Sequence, residues 1–335
     1  MVRDLSLRLG QWPWAAAWPL LIVVGFEAGL GLVQASSGNT LGTTGTYANR
    51  DHYAGLLEMI LPFAAVYALS VLQANRGQFE SQVVPALKAS FLLAIAAVIL
   101  VAIVLSLSRM GFLVALASLL VAGSVAFSLR TWRVEYRVEG RWWRKWMPTA
   151  IVSFVILLGL VFLPTDPLMA RFADLAKSDK VPAEMRIQIW RDTAKLIKDY
   201  PLFGCGMGSY QSCFSRYKIV APMNIVDYAH NDYLQVLAEA GVLAFAAGLL
   251  FVLRVFQRAV RGILYAHSID ERNVAIACVA SMTAMLLHSF VDFNMYVPAN
   301  ALVFAWVTGI AGVNAGKRRP RKPGHVPQED PEALG

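Results

Sequence analysis

Long apolar runs separated by short polar connections make up most of the chain. They fall near 13–33, 53–73, 88–107, 110–129, 147–164, 232–256, 274–292 and 296–313. Each is roughly 17–25 residues long, enough to cross a bilayer as a helix. A buried soluble core explains one or two such runs, not a series of about eight. The pattern predicts an all-α, polytopic membrane helix bundle with about eight transmembrane helices. One hydrophilic segment interrupts the series. It covers 165–229 and is long enough to form a large, partly helical loop.

Composition agrees with the pattern. Of 335 residues, 57% are hydrophobic and 16% charged, against about 25% charged in a soluble domain. The net charge of +8 suggests nucleic acid only until its placement is considered. Arg130, Arg133, Arg137, Arg141, Arg144 and Lys145 share one connection, and Arg254, Arg258, Arg261 and Arg272 flank another. Lys317 to Lys322, KRRPRK, open the tail. With eight spans these clusters lie on one side together with Arg3 and Arg8, and the positive-inside rule makes that side cytoplasmic. No nucleic-acid partner is expected. The 165–229 loop then lies outside, as do GNTLGTTGTYANRDHY, the SRMG turn and DFNMYVPAN. The first run lacks a small-x-small cleavage site and is expected to stay as a helix. Residues 1–316 are expected to form the membrane domain, and 317–335 a basic, disordered cytoplasmic tail.

The outward segments hold the candidate chemistry. His230, Asn231 and Asp232 open an apolar helix directly after the long loop. Such a helix start offers free N–H groups and a positive dipole end to an anion. Within the loop, AEMRIQIWRDTAKLIKDY places Met185, Ile189, Trp190, Leu196 and Ile197 at helical spacing. This predicts an amphipathic helix lying on the membrane or on the protein's own outer face. It carries Arg186, which either snorkels at the interface or binds an anion. In PLFGCGMGSY, Gly204, Gly206 and Gly208 alternate before Tyr210. No strand precedes them, so a dinucleotide fingerprint is excluded. A tight turn approaching a ligand or a neighbouring helix remains.

Arg109 stands between two apolar runs with almost no connection, where an arginine needs water or an anion. Asn49, Arg50, Asp51 and His52 enter the second span and line the same pocket or cap the helix. His288 and Asp292 form a polar relay or an interhelical hydrogen bond. Cys205 and Cys213 share the outer loop, where an oxidising compartment permits a disulfide, although spacing alone does not establish one. No Cys/His zinc pattern occurs.

Four segments resemble the O-antigen ligase and Wzy-type polymerase family of bacterial membrane proteins. They are GTYANRDHYAGLLEM (Gly45 to Met59), SRMG (Ser108 to Gly111), RIQIWRDTAKLIKDYPLFGCGMGSY (Arg186 to Tyr210) and HNDYLQVLAEAGVLA (His230 to Ala244). The family pattern His-Asn, nine residues, Gly, two residues, Gly is met at His230, Asn231 and Gly241, with Ala244 in the last place. The family generally has more helices before the GTYxNRxH segment, so this chain starts late.

The resemblance implies transfer of a glycan from an undecaprenyl-pyrophosphate carrier to an acceptor hydroxyl, outside the bacterial cytoplasmic (inner) membrane. It maps the family's two arginines and histidine onto Arg109, Arg186 and His230. Asn49, Arg50, His52, Trp190, Gly204, Gly206, Gly208, Tyr210, Asn231 and Asp232 are the expected substrate-binding residues. No metal or other cofactor is expected. The acceptor is a lipid core, a glycan or a protein for a ligase, and another carrier-linked chain for a polymerase. Readings of another class are a lipid or polysaccharide transporter and a non-catalytic subunit of an export complex.

Overall fold

A computed structural model describes residues 12–37, 42–74, 83–135, 183–219 and 225–314. Among the described residues the fold is all-helical, with no β-strand. The helices are α1 (Trp18–Ser36), α2 (Arg50–Ala74), α3 (Val83–Leu105), α4 (Arg109–Glu135), α5 (Ala183–Asp199), α6 (Tyr210–Phe214), α7 (Asp232–Tyr265), α8 (Ile269–His288) and α9 (Pro298–Asn314). Two 3₁₀ turns, Ala15–Ala17 and Asn294–Tyr296, precede α1 and α9.

Five helices are long and apolar enough to span a bilayer: Ala15–Ser36, Arg50–Ala74, Val83–Leu105, Arg109–Leu129 and Asp232–Tyr265. They match five of the expected runs. The run at 147–164 lies outside the described residues, as do 165–182 and 317–335. The last two runs fold as α8 and α9 with shifted bounds. α8 begins with Asp270, Glu271 and Arg272 and ends at His288, short of 292, because Ser289–Asp292 turns the chain. α9 is a shorter apolar helix that starts at Pro298, whose missing N–H costs nothing in a first turn.

The core forms around α2. Its face is buried almost throughout, from His52 to Val71, by α1, α3, α4, α8 and α9. α8 is buried on most sides, and the polar residues at its ends are offset by hydrogen bonds, Asn273 to Ser70 and Gln73 and His288 with Glu58. α3 and the outer part of α7 expose Val84, Leu87, Phe91, Leu249, Leu250 and Phe251. Such apolar faces suit lipid rather than water.

The helices alternate in direction, so the bundle has two ends. One end gathers 42–49, 106–108, 183–219, 225–231 and 289–297. The other holds 12–17 and 266–268, where Trp14 donates its indole N–H to Asp270 at 3.2 Å.

The amphipathic segment of the long loop forms α5. Its apolar face turns onto the protein: Ile189 and Leu196 are buried with Tyr210, Phe214, Ala229 and Ala238. α5 and α6 therefore pack on the start of α7 as a second, smaller core.

Candidate functional site

The site is built around the 289–297 connection, onto which four elements converge. α7 begins here. His230 takes a left-handed backbone conformation, φ 50°, a state that costs a non-glycine residue roughly 1–3 kcal/mol. Asn231 then caps α7, its side chain accepting the Leu234 N–H at 3.0 Å. Its amide group donates to the Phe290 carbonyl at 2.9 Å. The Asp232 N–H donates to the carbonyls of Ser289 and Asp292. The buried Asp232 carboxylate accepts from the Ser289 hydroxyl at 2.8 Å and from the Met295 N–H. The expected anion seat at this helix start is thereby filled from within the protein. Asn231 and Asp232 spend their polar groups on holding the junction.

The junction presents His230 to Asp292. Nδ1 of His230 lies 3.4 Å from Oδ1 of Asp292, and Nε2 of His52 lies 3.7 Å from the same oxygen. Both contacts are longer than a well-formed hydrogen bond. Burial alone would push the Asp292 carboxyl up. The two imidazoles outweigh it and hold the group well below the usual carboxylate range. Phe293 fills the angle between the rings. It stacks on Tyr228 at 4.1 Å, with His52 and His230 edge-on at 4.6 and 5.2 Å.

Arg186 joins the same turn from α5. Half-buried, it donates to the Val291 carbonyl at 3.2 Å, while its Nε is buried without a hydrogen-bond partner. It turns onto the 289–297 connection rather than snorkelling outward. Trp190, one turn on, donates to the Ala229 carbonyl at 2.9 Å and ties α5 to the residue before His230.

His52 arrives on the first turn of α2. The side chain of Asn49 accepts the Asp51 N–H at 2.8 Å, so Asn49 caps this helix. Asn300 donates to the His52 carbonyl at 2.9 Å and to Asn294 at 2.9 Å, while accepting from Tyr47 at 2.8 Å. α9 thus fixes both His52 and the Asn294 turn. Gly55 is required here, since a Cβ would stand 2.5 Å from the Asn294 side chain.

Arg109 and Arg50 open α4 and α2 at this same end, Arg109 exposed and Arg50 half-buried. Their helices meet closely: a Cβ at Gly111 would stand 2.4 Å from that of Ala54. The structure brings His230 and His52 to Asp292 and Arg186 to the neighbouring Val291 carbonyl, while Arg109 opens α4, which packs on α2.

The glycine turn serves α7. At Gly241 the helix breaks (φ 73°, ψ 179°). The carbonyls and amides released there are met by the turn. The Cys205 and Gly206 N–H groups donate to the Ala238 and Glu239 carbonyls at 2.8 and 3.0 Å, and the Val242 N–H donates to Pro201 at 2.9 Å. The chains touch backbone to backbone: a Cβ at Gly204 would stand 2.2 Å from the Glu239 carbonyl carbon, and one at Gly241 2.3 Å from the Leu202 oxygen. Of the two roles expected for this turn, Gly204 and Gly206 take the approach to a neighbouring helix. Gly208 is exposed with open space around it. Tyr210 is fully buried, its hydroxyl sharing a 2.7 Å hydrogen bond with Thr193.

His288 does not pair with Asp292. It meets Glu58 of α2 at 2.8 Å, both side chains buried, so it forms the interhelical hydrogen bond rather than the relay. Glu58, Tyr228, Phe293, Asn294 and Glu239 were not singled out in the sequence. The signal for Glu58 was a lone acid within an apolar run. Glu239 accepts from the Tyr210 N–H and the Tyr296 hydroxyl, bracing the break against the connection. Cys205 and Cys213 are free thiols that contact the same Ser209 hydroxyl.

Residues 93–249 match the O-antigen ligase family, a stretch that begins in α3 and ends in α7. The matched stretch includes Arg109, Arg186 and His230 and shows this part of the chain to be similar to O-antigen ligases. No curated protein matches the chain. Five helices long and apolar enough to span a bilayer, together with this match, point to a multi-pass membrane protein similar to O-antigen ligases.

Proposed function

We propose that this protein transfers a glycan from an undecaprenyl-pyrophosphate carrier to an acceptor hydroxyl at the outer face of the cytoplasmic membrane. One observation carries the reading: Arg186 and His230 come from different elements and meet at the Val291–Asp292 turn, at one end of a membrane bundle. Departure of the pyrophosphate builds negative charge on its oxygens. Arg186, joined by Arg109 from the start of α4, supplies the fixed positive charge that stabilises it, and preorganised charge of this kind is usually the largest catalytic contribution. The guanidinium fork suits two phosphate oxygens.

Asp292 faces Nδ1 of His230, which leaves Nε2 to take the acceptor's proton. The acceptor oxygen then bonds to the anomeric carbon as the bond to the pyrophosphate oxygen breaks. The displacement is inverting and proceeds without a metal. Tyr228 and Phe293 present stacked rings beside it, a surface that suits a sugar ring. The ligase reading takes a lipid core, glycan or protein as acceptor; with a second carrier-linked chain the same chemistry is polymerisation.

The buried Glu58–His288 pair favours one second reading, a transporter, because ionisable groups inside spans often mark relays. The test is glycan transfer from a purified carrier-linked donor in nanodiscs, with each acceptor class and with chelator. Transfer lost in His230→Ala supports the enzyme. Carrier translocation in proteoliposomes without any transfer sinks it. Transfer abolished by chelator and restored by a divalent ion overturns the metal-free step.

A further inference from the structure

The end of α7 away from the site carries a second charged feature. Arg254, Arg258 and Arg261 follow one another at helical spacing on an exposed face, with Gln257 between them. Residues at i, i+4 and i+7 share a face. A concavity of about 440 Å³ runs along this face, lined among the described residues by Leu250, Arg254, Gln257, Arg258 and Arg261. Among the described residues, no acidic side chain forms an ion pair with any of the three arginines. Directly above them on the same helix lie exposed Leu249, Leu250, Phe251 and Leu253.

Depth along the helix sets where this ladder sits. From the break at Gly241 the rise is roughly 20 Å to Arg254 and roughly 30 Å to Arg261, the latter close to the hydrocarbon thickness of about 30 Å. If the break lies at one membrane surface, Arg261 stands at the opposite boundary, and Arg254, about 10 Å inside it, reaches the headgroups along its own side chain. The groove therefore passes from acyl-compatible to anion-compatible chemistry at the depth where a phospholipid does the same.

We infer that this groove binds an anionic phospholipid of the leaflet opposite the candidate site. The phosphodiester sits between Arg254 and Arg258, a second headgroup oxygen reaches Arg261 or Gln257, and an acyl chain lies on Leu250. Charge complementarity and the apolar wall above it select a lipid over a free anion.

The experiment uses the full chain in nanodiscs of phosphatidylcholine doped with phosphatidylglycerol. Lipid retained after extraction into detergent is counted by native mass spectrometry. Wild type should retain phosphatidylglycerol over phosphatidylcholine. Replacing Arg254, Arg258 and Arg261 together by Gln should weaken that preference about a hundredfold, since each basic residue near a charged surface contributes about fivefold. Replacement of all three by Lys should keep most of it, because a headgroup reads charge, and this variant controls for folding. His230→Ala should leave retention unchanged, which separates the inference from catalysis. Equal retention by wild type and the Gln variant overturns it. So does loss in the Lys variant as deep as in the Gln variant, or competition by inorganic phosphate alone at equal strength.

Discussion

The two ends of the bundle solve the burial of polar groups in opposite ways. At the end near 268–273, Asp270 accepts from the Ser70 hydroxyl at 2.6 Å and from the Trp14 indole. Asn273 donates to Ser70 and Gln73, both at 3.0 Å. Donors and acceptors there are matched by short bonds. At the site end, His52 Nε2, Arg186 Nε, His230 Nδ1 and Asn294 Nδ2 are buried without a hydrogen-bond partner. Leaving such a group unmatched costs about 1–3 kcal/mol, and a folded protein tolerates few of them. The first arrangement stabilises helix packing. The second keeps donors and a left-handed histidine around one turn at a cost to stability, the pattern expected where chemistry is done.

The largest effect expected from this contrast is on turnover. His230→Ala and Arg186→Ala should each lower glycan transfer by about 10²–10³, with the unfolding temperature in detergent nearly unchanged. Arg186→Lys should remain badly impaired, because an ammonium cannot reproduce the fork. A fully active Lys variant would reduce Arg186 to a contact of the Val291 carbonyl. A marked loss of thermal stability in either Ala variant would erase the difference between the two ends.

Next in size is the glycine seam. Gly204→Ala or Gly241→Ala sets a Cβ against backbone at 2.2 or 2.3 Å, at positive φ. Each should cost roughly 2–3 kcal/mol, read as earlier thermal unfolding and as faster proteolysis of the 183–219 segment. Gly208→Ala shares the positive φ but has open space around it, so it keeps only the backbone strain and should cost clearly less. Equal losses at the three positions would mean that the close approach of the two backbones does not set the effect.

The helices were legible because their apolar runs are long and their breaks polar. The amphipathic α5 was legible from the spacing of Ile189, Trp190 and Leu196. His230 stood out because it opens an apolar helix. The break at Gly241 was not legible, since AEAGVLAF reads as continuous helix; what stabilises the break is a turn far back in the sequence. Asp292 was paired with His288 because the two are neighbours in sequence. In space Glu58 takes His288, which frees Asp292 for His52 and His230, and no local pattern reports that exchange. Phe293 and Tyr228 look like ordinary apolar residues until stacking places them beside His230.

A smaller effect belongs to the matched end. Asp270→Ala removes two hydrogen bonds to a carboxylate and a favourable charge at the start of α8. A loss of about 2 kcal/mol is expected, with transfer by the folded protein unchanged. If Asp270→Ala abolishes transfer while the protein stays folded, the division of labour between the ends is wrong.

The smallest expected effect concerns pH. Asp292 is held below the usual carboxylate range by His230 and His52, against its burial. A depressed folded value means that the carboxylate form favours the native state. Its contribution is fully present above the unfolded value, about 3.9, and is lost as pH falls through the lower folded value. Asp292→Asn keeps the shape and removes the charge. Because both imidazole contacts are long, the cost at neutral pH should be near the low end for charged hydrogen bonds, about 1.5 kcal/mol. The gap in unfolding temperature between wild type and this variant should therefore stay constant from pH 8 to about pH 5 and narrow only below about pH 4. A gap that already closes between pH 7 and 5 would show that the histidines do not hold the carboxylate ionised. The site end would then lack the fixed negative charge that the proposed role of His230 as base requires.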